Sequence, residues 1–281
     1  MTTASWRQAD ITINPRTGWQ ILASDLAPAL DQAVRLGVLD GWWYIRKTVW
    51  RLRVRTNDAG YITVEALLDK LAADQRILLW YPNIYEPETN AFGGAEGMDC
   101  AHRLFHCDSR YLLARARQTS DAPAPLGWRE TTAILCGVLI RAAGLDRYEQ
   151  ADVWAKVAEE RPVELADPAI FDEHKSGALV GAMTRLLTVN PNGLSRPDGP
   201  LAGYGAWITA FERAGQDIAA LAHNGQLRRG LRAVLAHHII FHANRTGISV
   251  SELSTMAALA MIGTFGPAAV GVRPAGVTTD H

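Results

Sequence analysis

Hydrophobic and polar positions change their period about a third of the way along the chain. From Trp6 to Ile13 they alternate, as in a strand with one buried face. From Gly18 to Leu36, apolar residues at Ile21, Leu22, Leu26, Leu30, Val34 and Leu36 recur at helical spacing. Two aromatic and β-branched runs follow, Trp42-Trp43-Tyr44-Ile45 and Val49 to Arg55, joined by a short polar link that reads as a hairpin. Val64 to Leu71 returns to helical spacing, and Ile77-Leu78-Leu79-Trp80-Tyr81 reads as a fourth strand closed by Pro82. The resulting order, β-α-β-β-α-β, is that of a ferredoxin-like antiparallel sheet with two helices on one face.

Beyond Gly94 the pattern is helical throughout. Ala95 to Arg117, Trp128 to Ala143, Tyr148 to Glu159, Tyr204 to Leu221, Leu227 to Ala243 and Ser249 to Ile262 each place apolar residues on one helical face. The predicted class is therefore α+β. Residues 1–94 form an antiparallel sheet with covering helices, residues 95–265 a helical region completing the same domain, and residues 266–281 a fraying tail. Two proline- and glycine-rich segments, Thr119 to Gly127 and Val189 to Gly203, are expected as loops that could serve as lids.

Composition narrows the function classes. With 281 residues, 48% of them hydrophobic, the chain can bury a large core. Its 28 basic and 29 acidic residues nearly cancel, so no global field favours nucleic acid or an anionic membrane, and a charged partner must be bound locally. No apolar run approaches the roughly 20 residues of a membrane-spanning helix. Three cysteines without a Cys-x-x-Cys pair, behind an N-terminus unlike a signal peptide, point to a reduced cytoplasmic setting.

Candidate chemistry gathers at the strand-to-helix passage from Tyr85 to Arg110. Tyr85-Glu86-Pro87-Glu88 is followed by Phe92-Gly93-Gly94, and then by Asp108-Ser109 within the helix. The segment either turns the chain with its acids solvated, or presents Tyr85 and Glu88 to a cleft as proton donor and acceptor. The N–H groups of Gly93 and Gly94, just before a helix, are candidates to hold a substrate carbonyl or carboxylate. Asp108 and Ser109 are suited to holding backbone or a partner arginine. On the preceding strand Arg51, Arg53 and Arg55 project from one face, as a solvated edge or as a receptor for carboxylates or peptide carbonyls. His102 and His106 are four apart, as are His238 and His242, but neither pair carries the remaining ligands of a metal site. A single histidine acting on protons is the better reading, with His242 as its candidate and a core histidine as the alternative.

Read together, these motifs carry a resemblance. Tyr44-Ile45-Arg46, Leu52-Arg53-Val54-Arg55, Tyr85-Glu86-Pro87-Glu88 through Phe92-Gly93-Gly94, Leu104-Phe105 with Asp108-Ser109, and Phe241-His242-Ala243-Asn244-Arg245-Thr246-Gly247-Ile248 resemble the C-terminal domain family of lanthipeptide dehydratases, which also occurs as stand-alone thiopeptide biosynthesis proteins. Eliminating members of that family remove glutamate from glutamylated Ser or Thr, and their turn carries arginines suited to the glutamyl carboxylate. Here those positions are Pro87 and Ala91. The Tyr-Glu-Pro-Glu…Phe-Gly-Gly form is instead similar to thiopeptide pyridine synthases. That resemblance implies a formal four-plus-two aza-cycloaddition between two dehydroalanines of a ribosomal precursor peptide, followed by dehydration and leader loss, without nucleotide or metal. It implies proton transfer by Tyr85 and Glu88, polarisation of amide oxygens by Arg53 and Arg55, and help from His242 in dehydration or leader release. Substrate contacts are implied for Arg46, Glu86, Gly93, Gly94, Asp108, Ser109, Asn244 and Arg245. The expected partner is the precursor peptide, with a homodimer as an open option. Trp6, Trp19, Trp42, Trp43 and Trp50 are read either as an apolar groove for its leader or as core.

Overall fold

The computed structural model describes residues 3–14, 16, 18–117, 126–162 and 173–267, with side-chain surroundings from 177 in the last segment. Four strands form one sheet: β1 (Ser5–Ile13), β2 (Gly41–Arg46), β3 (Trp50–Thr56) and β4 (Ile77–Asn83). Their order is β2-β3-β1-β4 and every neighbouring pair is antiparallel, the ferredoxin-like arrangement expected from the pattern. Between β1 and β2, α1 (Ala27–Arg35) is preceded by a wide helical turn over Leu22–Leu26, where the Ala27 N–H reaches back to the Leu22 carbonyl. Pro28, which has no N–H to donate, follows directly. The second crossover helix, α2 (Asp58–Ala73), starts earlier than its apolar spacing suggested, because the Asn57 side chain caps it by accepting the Gly60 N–H at 2.9 Å.

Strand registers divide the sheet residues between two faces. Opposed pairs such as Ala9↔Leu52 and Tyr44↔Leu52 share one face, and Gln8↔Arg53 and Trp43↔Arg53 share the other. The first face is covered by the crossover helices: Trp42 Nε1 donates to Asp31 of α1, Trp80 Nε1 donates to Asp69 of α2, and Arg7 pairs with Asp58. Ile11, Leu52, Val54, Leu30, Val64 and Leu68 are buried in this half.

Seven further helices and one short turn of helix follow. These are α3 (Ala95–Arg117), α4 (Trp128–Ala142), α5 (Arg147–Glu160), α6 (Glu173–Thr188), the short α7 (Pro191–Leu194), α8 (Gly205–His223), α9 (Leu231–Thr246) and α10 (Val250–Phe265). α4 is buried at every position from Thr131 to Ile140, as a helix packed on all sides must be, and it contacts α6 and α8. α10 packs on α5 and α6. Capping boxes start α5, with Asp146 and Glu149, and α10, with Ser249 and Glu252. α6 had no counterpart in the sequence reading. Its described part buries only Met183 and carries Gly177 and Gly181, so it presents little apolar stripe to read.

Packing divides the chain into two compact units. One contains Met1–Glu88, Ala101–Ala124 and Asn244–Gly247; the other contains Thr89–Cys100, Pro125–Ala243 and Ile248–His281. The loop expected over Val189 to Gly203 is drawn in by α7 and by a Leu201 N–H bond to the Leu194 carbonyl at 2.8 Å. Most of the other expected loop, Thr119 to Gly127, and the tail beyond residue 267 lie outside the described residues. Among the described residues no helix is long and apolar enough to cross a membrane, and Cys100, Cys107 and Cys136 form no disulfide.

Candidate active site

Within the sheet unit, polar groups concentrate on the face opposite the crossover helices. Arg53 of β3 is only 7% exposed, and its guanidinium carbon lies 4.3 Å from the centroid of Trp43 and 4.7 Å from that of Tyr85. A cation between two aromatic faces is attracted by both ring quadrupoles. Arg53 Nε donates to Gln8 Oε1 at 2.9 Å, Gln8 Nε2 donates to Asp10 Oδ1 at 2.7 Å, and Asn83 Nδ2 donates to Asp10 Oδ2 at 3.0 Å. This chain of bonds crosses β3, β1 and β4 and fixes the guanidinium. No carboxylate among the described residues comes within ion-pair distance of Arg53, and its buried Nη1 makes no hydrogen bond. Burial lowers its pKa to about 10, opposed by Tyr85 and, more weakly, by the negative charge of Glu88 on the nearby turn.

Tyr85 completes the cluster. Its hydroxyl lies 2.9 Å from His102 Nε2, and its ring meets Trp6 and Trp43 edge-on at 6.2 and 5.8 Å. Burial pushes the phenol pKa up, while burial, then Arg55 and Arg53, hold the His102 imidazole down at about 4. The pair is therefore neutral at neutral pH. Between two neutral groups, the imidazole tautomer sets which one donates. Trp6 lies over His102 with ring centroids 4.5 Å apart.

The other expected site residues are placed as follows. Glu86 and Glu88 are exposed on the turn, and Arg55 is half-exposed beside Asp40, with Nε 3.7 Å from the carboxylate. Asp108 and Ser109 are wholly buried and Arg245 is 1% exposed, so these three touch the chain itself rather than a ligand. Arg245 Nε donates to Asp108 at 2.7 Å with its guanidinium over Phe105, and Ser109 Oγ accepts the Tyr44 N–H at 3.2 Å. His106 Nδ1 lies 3.1 Å from the Trp42 nitrogen, so α3 satisfies the outer edge of β2. Arg46, flanked by Trp19 and Trp50, donates to the Thr246 carbonyl at 3.1 Å, and the Tyr44 hydroxyl donates to the Arg245 carbonyl at 3.2 Å. A Cβ at Gly247 would sit 2.3 Å from Arg46. Asn244, half-buried, precedes this clasp. Of the five tryptophans weighed as a groove, Trp42, Trp43 and Trp50 are core.

In the helical unit, the Gly93 and Gly94 N–H groups are not available to a substrate. They close the turn by donating to the Asn90 and Thr89 carbonyls at 3.2 and 2.9 Å, with φ of +84° and +118° that favour glycine. Phe92 is buried against His237, His238 and Phe241. His242 is 1% exposed, with Nε2 3.1 Å from Thr132 Oγ1 and its ring edge-on to Phe211. His102 and His106 serve Tyr85 and the Trp42 backbone respectively, and among the described residues no three metal-ligating side chains converge. His102, Gln8 and Asp10 were absent from the expected site. Gln8 and Asp10 stand in step with Arg53 and Arg51 across the sheet, and two polar residues alternating on the buried face of an apolar strand were the available signal.

The family model for the lantibiotic biosynthesis dehydratase C-terminal region matches residues 6–262. The chain belongs to that family. No curated protein sequence matches it. Three solved structures share the fold of this family member. The tRNA-dependent lantibiotic dehydratase MibB from Microbispora sp. 107891 is 16% identical with a TM-score of 0.70, over 95% of this chain and 28% of its own. TsrL is 17% identical with a TM-score of 0.58, over 98% and 100%. TbtD, the pyridine synthase from thiomuracin biosynthesis, is 12% identical with a TM-score of 0.57, over 93% and 99%. The chain thus spans little more than a quarter of MibB and nearly all of the other two.

Proposed function

We propose that this family member is a thiopeptide-type pyridine synthase, acting on a precursor peptide that carries two dehydroalanines. The observation that carries the reading is Arg53, a buried cation without a carboxylate partner, held face-on by Trp43 and Tyr85 beside the Tyr85–His102 pair. One dehydroalanine amide must become its iminol tautomer, so a proton leaves nitrogen while the oxygen gains negative character. Arg53 Nη1 donates to that oxygen, and Tyr85 handles the proton. A buried donor aimed at developing charge is worth far more than one in water. Arg55 and Glu88 adjust the local charge. The 2-aza-diene, running from the methylene carbon to the iminol carbon, and the second alkene then form two C–C bonds, and loss of water and of the leader amide aromatises the ring. The rings of Trp6 and Tyr85 restrict the peptide to a reactive geometry.

Pro87 and Ala91, at turn positions where eliminating relatives resemble one another in carrying arginine, favour this reading over glutamate removal. The cytoplasm is the proposed setting and the precursor peptide the proposed partner. Incubation with a dehydroalanine-containing precursor, followed by mass spectrometry, should show a macrocycle and a free leader amide. A dehydrated peptide returned unchanged, with glutamate instead removed from a glutamylated peptide, overturns the assignment.

A further inference from the structure

His102 faces Tyr85 from the second turn of α3, and nothing in the reaction described above has yet used it. Its Nε2 lies 2.9 Å from the phenol oxygen, and its ring is flanked by Trp6 at 4.5 Å and by Trp43 at 6.2 Å. In this arrangement Nε2 is the ring nitrogen directed at Tyr85. The charged groups facing the pair are Arg53 and Arg55 of β3, with Glu88 of the turn acting on Tyr85.

We infer that His102 is a positioning residue that acts through Tyr85, orienting the phenol and accepting its proton as the phenol oxygen takes one from the substrate amide. This rests on the pyridine-forming reading of the same site. In the step, the substrate N–H bond breaks and a new O–H bond forms on Tyr85. The original phenol proton passes to His102 Nε2, and the amide becomes an imidate whose oxygen faces Arg53. Charge balances, because one negative charge on the substrate is matched by one positive charge on the imidazole. Burial, with Arg55 and Arg53 nearby, makes that imidazolium a strong acid, so the proton returns promptly through Tyr85 when the ring product needs it. A phenol alone has no such outlet.

Three variants and one spectroscopic measurement test the pair. His102→Phe keeps a ring between Trp6 and Trp43 and removes the nitrogen; it should lower kcat by about 100-fold with KM nearly unchanged. His102→Gln, which restores a polar atom, should recover about tenfold of that loss. Tyr85→Phe combined with His102→Phe should be no slower than Tyr85→Phe alone, because the two act as one unit. A folded His102→Phe enzyme with wild-type kcat, or losses that multiply in the double variant, overturns the inference. Nitrogen NMR of the imidazole provides a readout that needs no activity. Nε2 should report as a hydrogen-bonded acceptor at neutral pH and should shift in Tyr85→Phe. If it does not shift, the inference fails even where the wild type cyclises. If the wild type does not cyclise, the function reading fails, and the nitrogen response alone decides whether the pair exists.

Discussion

Arg53 and Arg245 are both buried beneath aromatic rings in the same unit, but they differ in what faces their charge. Arg245 meets Asp108 at 2.7 Å, and its neighbours Tyr44, Arg46 and Ser109 are each spent on backbone groups. Arg53 meets an amide, Gln8, and two rings. A buried ion pair within the chain fixes architecture, because its charge is already neutralised, even though Arg245 Nη1 and Nη2 make no hydrogen bond. A buried cation oriented by neutral groups keeps its charge for an incoming one, at a desolvation cost recorded in its lowered pKa. The motifs of this chain therefore contain two kinds of arginine, which only their partners distinguish.

The largest effect that could break this distinction is on the clasp. Asp108→Ala leaves the Arg245 charge buried and unpaired, and should cost about 3–5 kcal/mol in denaturant unfolding, with activity lost in proportion to the folded fraction. A loss under about 1 kcal/mol would mean that the pair is not structural. Next comes Arg53→Met, which keeps the packing between Trp43 and Tyr85. It should lower cyclisation about 100- to 1000-fold while leaving the unfolding midpoint close to wild type. Stability falling as far as in Asp108→Ala would erase the contrast.

The smallest effect concerns pH. Because it is buried, and then because Arg55 and Arg53 lie nearby, His102 resists protonation in the fold, with a pKa of about 4 against the ordinary 6.5. The unfolded chain then binds more protons between those values, so this group's contribution to stability is complete above 6.5 and is lost as pH falls towards 4. The slope is at most about 1 kcal/mol per pH unit, reduced by partial exposure. Comparing unfolding of the wild type and His102→Gln across this window isolates it, and identical pH profiles would show that His102 titrates normally.

How much was legible in the sequence varied with the range of the interaction. Gln8, Asp10 and Arg53 lie on strands whose alternation was plain, yet their bond chain depends on β1 lying between β3 and β4, which periodicity alone does not give. The Gly-Gly pair signalled a turn correctly but suggested free N–H groups; the turn uses both itself. His102 was visible only as half of a histidine pair four residues apart. The structure sends His102 and His106 to different partners because α3 runs along the β2 edge, with His106 meeting the strand and His102 reaching past it to Tyr85.

By itself, the sequence determined the local elements: strand and helix periods, and the βαββαβ order that implies an antiparallel sheet. These follow from contacts within a few residues, where side-chain spacing and backbone geometry leave little choice. Only the tertiary structure decided which charges are consumed. Asp108 and Arg245 lie 137 positions apart, and Gln8 and Arg53 lie 45 apart. Whether a buried arginine finds a carboxylate or an amide depends on which segments the fold brings to within about 3 Å, the range over which a hydrogen bond forms.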